Sequence, residues 1–198
     1  MPERAPDGLI RLYRQIIPAI ERDMRDAGCD AVSVERYQCA CRELETLVEA
    51  TGTDNRHDFV VVIPVADRPR HLEACLGSLL ELCRVFGYGG LAGGRYRKVS
   101  AVIADDSREP AHIARHRELA AQFTTRGLAI RYLGLTEQVE LLERLPVTVR
   151  QGLANVIGTA DVAAAHHKGP SIMRNIAYLA LNAPGDAKTL YWFVDSDQ

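Results

Sequence analysis

The sequence predicts an α/β protein, a doubly wound, mostly parallel sheet with an N-terminal helical extension. Three observations carry that expectation. Residues 59–65 (Phe-Val-Val-Val-Ile-Pro-Val) form an unbroken, largely β-branched apolar run, the pattern of a parallel strand covered on both faces. Further apolar runs at 99–104 and 191–194 each lead into a pair of acids. Between the runs lie stretches with apolar residues at helical spacing, and strands alternating with helices imply parallel pairing.

The elements follow in order. Residues 9–51 read as helical. Leu9, Tyr13, Ile16, Ile17, Ile20 and Met24 fall on one face, with Pro18 expected to kink or break the helix. After Gly28, Val34, Tyr37, Cys41, Leu44 and Val48 repeat in steps of three and four, an amphipathic stripe. This stripe fits a helical hairpin packed on the main domain, or a homodimer interface through the N-terminal helices. Residues 51–58 form a polar linker, so the domain boundary is placed at 1–55 and 56–198. The strand at 59–65 is followed by Pro69, suited to a first helical turn, and by Leu72, Cys75, Leu76, Leu79, Leu80 and Cys83 at helical spacing. Residues 87–94 are glycine-rich but trail a helix, so they read as a flexible loop and a poor phosphate cradle.

The second strand, 99–104, runs into Asp105-Asp106-Ser107. A helix near 110–125 and a short strand at 128–133 complete a second β-α-β unit. Residues 137–145 read as helical, Pro146 interrupts, and the rest to Lys168 fits helix or lid-like loop. Gly169-Pro170 opens a helix whose apolar face carries Met173, Ile176, Ala177, Ala180 and Leu181, and the last strand ends in Asp195-Ser196-Asp197.

Composition excludes several classes. A chain of 198 residues accommodates one core plus an appendage. The net charge of -2 provides no general attraction to nucleic acid or anionic lipid. No segment reaches the roughly 20 apolar residues of a membrane span. The five cysteines, Cys29, Cys39, Cys41, Cys75 and Cys83, are odd in number and lack framework spacing. The N-terminus has no signal-like apolar stretch, and a reduced, cytoplasmic protein is expected. Cys39-x-Cys41 without a second pair, and the adjacent His166-His167, read as ordinary thiols and a solvated loop pair.

Chemistry is expected at the carboxyl ends of the strands, at a topological switch point of the sheet. Three such ends carry polar groups: Val65-Ala66-Asp67-Arg68, Asp105-Asp106-Ser107 and Asp195-Ser196-Asp197. A carboxylate accepts from a base N–H or from ribose hydroxyls. Two carboxylates one residue apart suit a hard divalent cation that shares its other positions with water and phosphate. The bland alternative for each cluster is turn chemistry or helix capping. In Lys168-Gly169-Pro170-Ser171-Ile172-Met173-Arg174-Asn175, glycine allows close backbone approach, the helix start offers free N–H groups to an anion, and Arg174 lies one turn in.

Four segments in order, Val62-Ile63-Pro64-Val65-Ala66-Asp67-Arg68, Ile103-Ala104-Asp105-Asp106-Ser107, Gly169-Pro170-Ser171-Ile172-Met173-Arg174-Asn175 and Phe193-Val194-Asp195-Ser196-Asp197, resemble the signatures of family 2-like glycosyltransferases. The resemblance covers residues 59–198 and implies a GT-A, Rossmann-like fold. It implies a nucleotide-diphosphate sugar donor, by analogy a UDP-sugar, and a Mn or Mg cation. On that resemblance Val65 and Asp67 edge the nucleotide site, Asp105 and Asp106 form the acidic pair with Asp106 at the nucleobase, and Arg174 stands beside the diphosphate. Asp195 lies near the ribose and the metal, and Asp197 on the metal. The cation neutralises charge on the departing nucleoside diphosphate.

The sequence also departs from the family. Ala66-Asp67 replaces an aromatic-Asn pair, and the segment between Leu133 and Gly169 is long. The family's acceptor pocket and catalytic base lie beyond the metal motif, where this sequence ends. The expectation is therefore the donor-binding part of an enzyme that transfers a sugar to an acceptor, truncated after its metal motif and weakly active or inactive alone. No catalytic residue is assigned. A non-catalytic nucleotide-sugar-binding module or partner subunit is the alternative. A nucleotidyltransferase fits less well, because no glycine-rich loop follows Val65.

Overall fold

The computed structural model describes residues 5–159, 168–181 and 188–195. Two long helices come first: α1 (Ala5–Ala27) and α2 (Ala31–Ala50). Asp30 caps α2, its carboxylate accepting from Ser33 N at 2.6 Å while Asp30 N donates to the Ser33 hydroxyl. Pro18 neither breaks nor ends α1, which runs through it as one 23-residue helix. The expected stripes are the sheltered faces of the pair, with Ile20 and Val48 buried and Tyr13, Ile16, Ile17, Met24, Val34, Tyr37, Cys41 and Leu44 half-buried; Leu9 is exposed, and Ile10 and Ala40 are buried beside them.

The polar segment before the first strand is tied down rather than loose. Arg56 makes a two-pronged ion pair with Glu45 of α2 and bonds Asp54, and its guanidinium lies over the Tyr88 ring. Glu45 in turn accepts from Gly89 N. These bonds connect the helical pair to the loop after the third helix.

Strand β1 (Asp58–Val65) leads into α3 (Pro69–Phe86), with Pro69 in the first turn as its ring geometry favours. Gly87 ends α3 in the left-handed region, φ 64°, its N–H donating to Cys83 O at 2.8 Å. The glycine-rich stretch then forms a small antiparallel hairpin, β2 (Leu91–Ala92) with β3 (Arg95–Tyr96), where an irregular loop was expected. It joins the amino-terminal side of the sheet through the Lys98 region, away from the strand ends that carry the acids. The chain continues as β4 (Val99–Asp105), α4 (Pro110–Thr125), β5 (Ala129–Leu133), α5 (Leu135–Glu143) and α6 (Val147–Ile157). After the undescribed segment come α7 (Pro170–Leu181) and β6 (Thr189–Phe193). The stretch after Pro146 is thus helical as far as Ile157.

Among the described residues the main sheet has four strands, all parallel, in the order β5-β4-β1-β6. Side chains alternate between its faces. Val61, Ile63, Val65, Ala101 and Ile103 pack with Leu72, Leu76, Leu119 and Phe123 of α3 and α4. Val62, Val102, Ala104 and Leu133 pack with Leu142, Met173, Ile176 and Ala177 on the opposite side. The molecule is α/β with helices on both faces, which is why the central strands are apolar on both sides through their middles, Phe59–Val65 of β1 and Ala101–Ala104 of β4. Each fully buried Leu or Ile in these layers contributes roughly 1.5–3 kcal/mol. β6 is an edge strand, leaving Leu190 and Trp192 exposed. Among the described residues no helix is long and apolar enough to cross a membrane.

Candidate functional site

Successive strands step outward from β1 to β4 to β5, and the next strand, β6, returns to the other flank of β1. That reversal makes a switch point between β1 and β6, where the connections diverge and leave a crevice at the carboxyl ends. A cleft of about 550 Å³ lies there, lined among others by Val65, Asp106, Gly169, Met173, Arg174 and Asp195. Each of the expected strand-end segments and the α7 start contributes to it.

Parity along β4 sorts the acidic pair. Asp105 follows Ile103 onto the α3/α4 face, and Asp106 turns to the α7 face. Asp105 is therefore buried away from the cleft. Its carboxylate accepts from Ser107 N at 2.9 Å, from His116 Nδ1 at 2.9 Å and from the Tyr132 hydroxyl. Burial alone would raise this carboxyl, but donation from His116, Ser107 and Tyr132 outweighs it and holds the group below its ordinary value. The Tyr132 phenol is pushed up, by burial first and then by its bond to Asp105. His116 is fully buried, and its Nε2 has no hydrogen-bond partner among the described residues.

Asp106 reaches the cleft. Its N–H donates to Val65 O at 2.8 Å, binding the ends of β1 and β4 together. Its carboxylate accepts from Gly169 N at 3.1 Å and from Lys168 Nζ at 3.4 Å. The Lys168 and Asp106 side chains are only 3% and 4% exposed. Burial lowers the Lys168 ammonium below its ordinary value, and Asp106 opposes that shift. Lys168 also donates to Gln138 Oε1 at 2.9 Å, and the fully buried Gln138 spends its amide N–H groups on Asp105 O and Leu133 O. Gln138 thereby joins β4, β5 and Lys168 into one polar layer. Gly169 adopts φ 85°, the left-handed region, which presents its N–H to Asp106.

Asp67 does not present its carboxylate to the cleft. It accepts from Arg108 N, Glu109 N and His112 Nδ1 at the start of α4, while its own N–H donates to the Ser107 hydroxyl at 2.7 Å. Asp67 thus holds the turn that leads into α4, from a left-handed backbone, φ 53°. Its neighbours Ala66 and Arg68 line the cleft instead.

On the opposite wall Arg174 Nη2 donates to Asp195, both side chains about two-fifths exposed. Arg174 Nε is buried without a hydrogen-bond partner among the described residues. The pair sets a cation and an acid side by side near the first turn of α7, where free N–H groups and the helix dipole favour an anion. No group of three or more His, Cys, Asp or Glu able to hold a metal occurs among the described residues. Asp197 and the His166-His167 pair lie outside them. A cation held at Asp195 would draw its remaining ligands from phosphate oxygens, water and residues beyond those described.

Lys168, Gln138, His116 and Tyr132 received no role from the sequence. Two left a trace there. His116 shares the apolar stripe of Leu119, Ala120 and Phe123, and Gln138 that of Leu142, so each is a polar residue at a core position. No protein-family model matches the chain, and neither curated proteins nor solved structures yield a match.

Proposed function

We propose that this chain carries the donor-binding site of a metal-dependent glycosyltransferase with a GT-A type fold, holding a nucleoside diphosphate sugar, specifically a UDP-sugar, for transfer to an acceptor. The observation that carries the reading is the Arg174–Asp195 pair in a cleft at the sheet's switch point, with the buried Arg174 Nε still to be bonded. A diphosphate fits that wall: Arg174 and the opening N–H groups of α7 take its oxygens, and the planar guanidinium suits two-pronged contact. The base lies against Asp106 on the opposite side, near Val65. Asp195 and Asp197 hold a Mn or Mg ion, which when bound neutralises negative charge on the diphosphate. The four-stranded parallel sheet supports the fold type at its coarsest level. Five cysteines standing free are in keeping with work in a reducing cytoplasm.

Calorimetric titration of UDP with and without Mn tests the proposal. The wild-type chain binds UDP in a Mn-dependent manner. Arg174→Ala, and separately Asp195→Ala with Asp197→Ala, weaken it by about 10- to 100-fold, the value of a lost charged hydrogen bond. Absence of nucleotide binding by a folded chain, or binding indifferent to both variants, refutes it.

A further inference from the structure

We propose that Lys168 sets the base specificity of the cleft by fixing the Asp106 carboxyl in place as a hydrogen-bond acceptor, so that the site takes a base whose ring nitrogen carries a hydrogen beside a carbonyl, as uracil does. This inference rests on the nucleotide-binding reading of the same cleft. Asp106 is the acid of the β4 end that lines the cleft, and it is almost fully buried. A buried carboxyl with no cation tends to take up a proton, and then both donates and accepts. Here Lys168 lies against one oxygen and Gly169 N–H against the other. Gln138 fixes the ammonium in place from behind through its Oε1, itself anchored on two main-chain carbonyls. Lys168 does not line the cleft, so it acts through Asp106 as a positioning residue.

The consequence is a choice between bases of equal size. Uracil presents a ring N–H to the carboxylate and is accepted. Cytosine presents a bare ring-nitrogen lone pair, which faces a full negative charge. Lys168→Met removes the cation beside this buried carboxyl and leaves Gly169 N–H as its contact among the described residues, so the discrimination against cytosine falls. Asp106→Asn supplies an N–H donor directly and has the same effect by a separate route, whether or not the Lys168 variant folds.

Binding of UDP and CDP, each with Mn, is measured for wild type, Lys168→Met and Asp106→Asn, with folding checked by circular dichroism. Wild type prefers UDP by at least about 10-fold, and the ratio falls to within about threefold in either variant that folds. A merely structural role would weaken both nucleotides alike and leave the ratio intact. Wild type binding UDP and CDP equally, or a ratio unchanged in the folded variants, overturns this inference while leaving the nucleotide site standing. Wild type binding neither nucleotide overturns the site and this inference together.

Discussion

Removing one hydroxyl, in Tyr132→Phe, tests the buried cluster beneath the acidic loop. Phenylalanine keeps the ring and the Arg117 guanidinium over it at 4.7 Å, so the loss is confined to the O–H that donates to Asp105. A hydrogen bond to a charged group contributes about 1.5–3 kcal/mol. Asp105 retains its bonds from Ser107 N and His116 Nδ1, which puts the expected cost toward the lower end, about 2 kcal/mol. For a chain of this size that lowers Tm by about 4–8 °C. The cycle with Asp105→Asn isolates the pair, and urea titrations at pH 7 should give a coupling above about 1 kcal/mol. The sign of the pH dependence follows from the carboxyl. Asp105 in the folded chain lies below its ordinary value of 3.8, so its stabilisation is complete above that value and is lost as pH falls through the folded one. The deficit of Tyr132→Phe should therefore shrink in acid. Additivity of the two substitutions within about 0.3 kcal/mol would refute the cluster as the support of this loop.

Further predictions concern the attachment of the helical pair and the turn before α4. Arg56→Ala breaks contacts to Glu45 and Asp54 that are only partly exposed, and should cost about 1–2 kcal/mol. Hydrogen exchange should rise in α2 and leave the central strands β1 and β4 protected; a uniform rise would count against it. Asp54 is held down to about 2, chiefly by its bond to Arg56, so its stabilisation is lost as pH falls from its ordinary value toward 2, and Arg56→Ala should flatten that part of the acid titration. Asp67→Ala removes the carboxylate that holds the turn before α4 and keeps a side chain on a left-handed backbone, whereas Asp67→Gly removes only the carboxylate. Thermal melts should rank Ala below Gly by roughly 0.5–1 kcal/mol, and nucleotide binding should change far less than in Arg174→Ala.

The strands were legible because each central one is covered on two faces, and that burden leaves an apolar run no helix shares. The acids at their ends were legible for the same reason: polarity resumes where the cover stops. Less visible was which acid serves the cleft. Asp67 and Asp105 matched the pattern as well as Asp106 did, yet one holds the turn before α4 and the other is enclosed by His116 and Tyr132. Holding a turn and binding a ligand ask the same residue type of the same loop, so sequence alone leaves them tied. Pro18 does not break α1, because a 23-residue helix tolerates one lost bond. The hairpin at 91–96 was missed because two-residue strands carry no period.

The polar layer behind the cleft was beyond reach for a different reason. Lys168 meets Asp106 across 62 residues of chain and Gln138 across 30, and no local spacing encodes such a meeting. Alternation along β4 explains why the layer exists at all. Two adjacent carboxylates at a strand end must face opposite sides of the sheet, so only one can enter a cleft on a given side. The other needs partners within the core, which His116, Tyr132 and Ser107 supply. The one that enters is itself buried and needs a counter-charge, which only a residue from beyond the sheet can bring. Lys168, placed just before α7, meets that need, and the same helix start carries Arg174 to the opposite wall. The stretch from Lys168 to Arg174 thus sets the charge on both sides of the cleft, and substitutions there should alter recognition before they alter the fold.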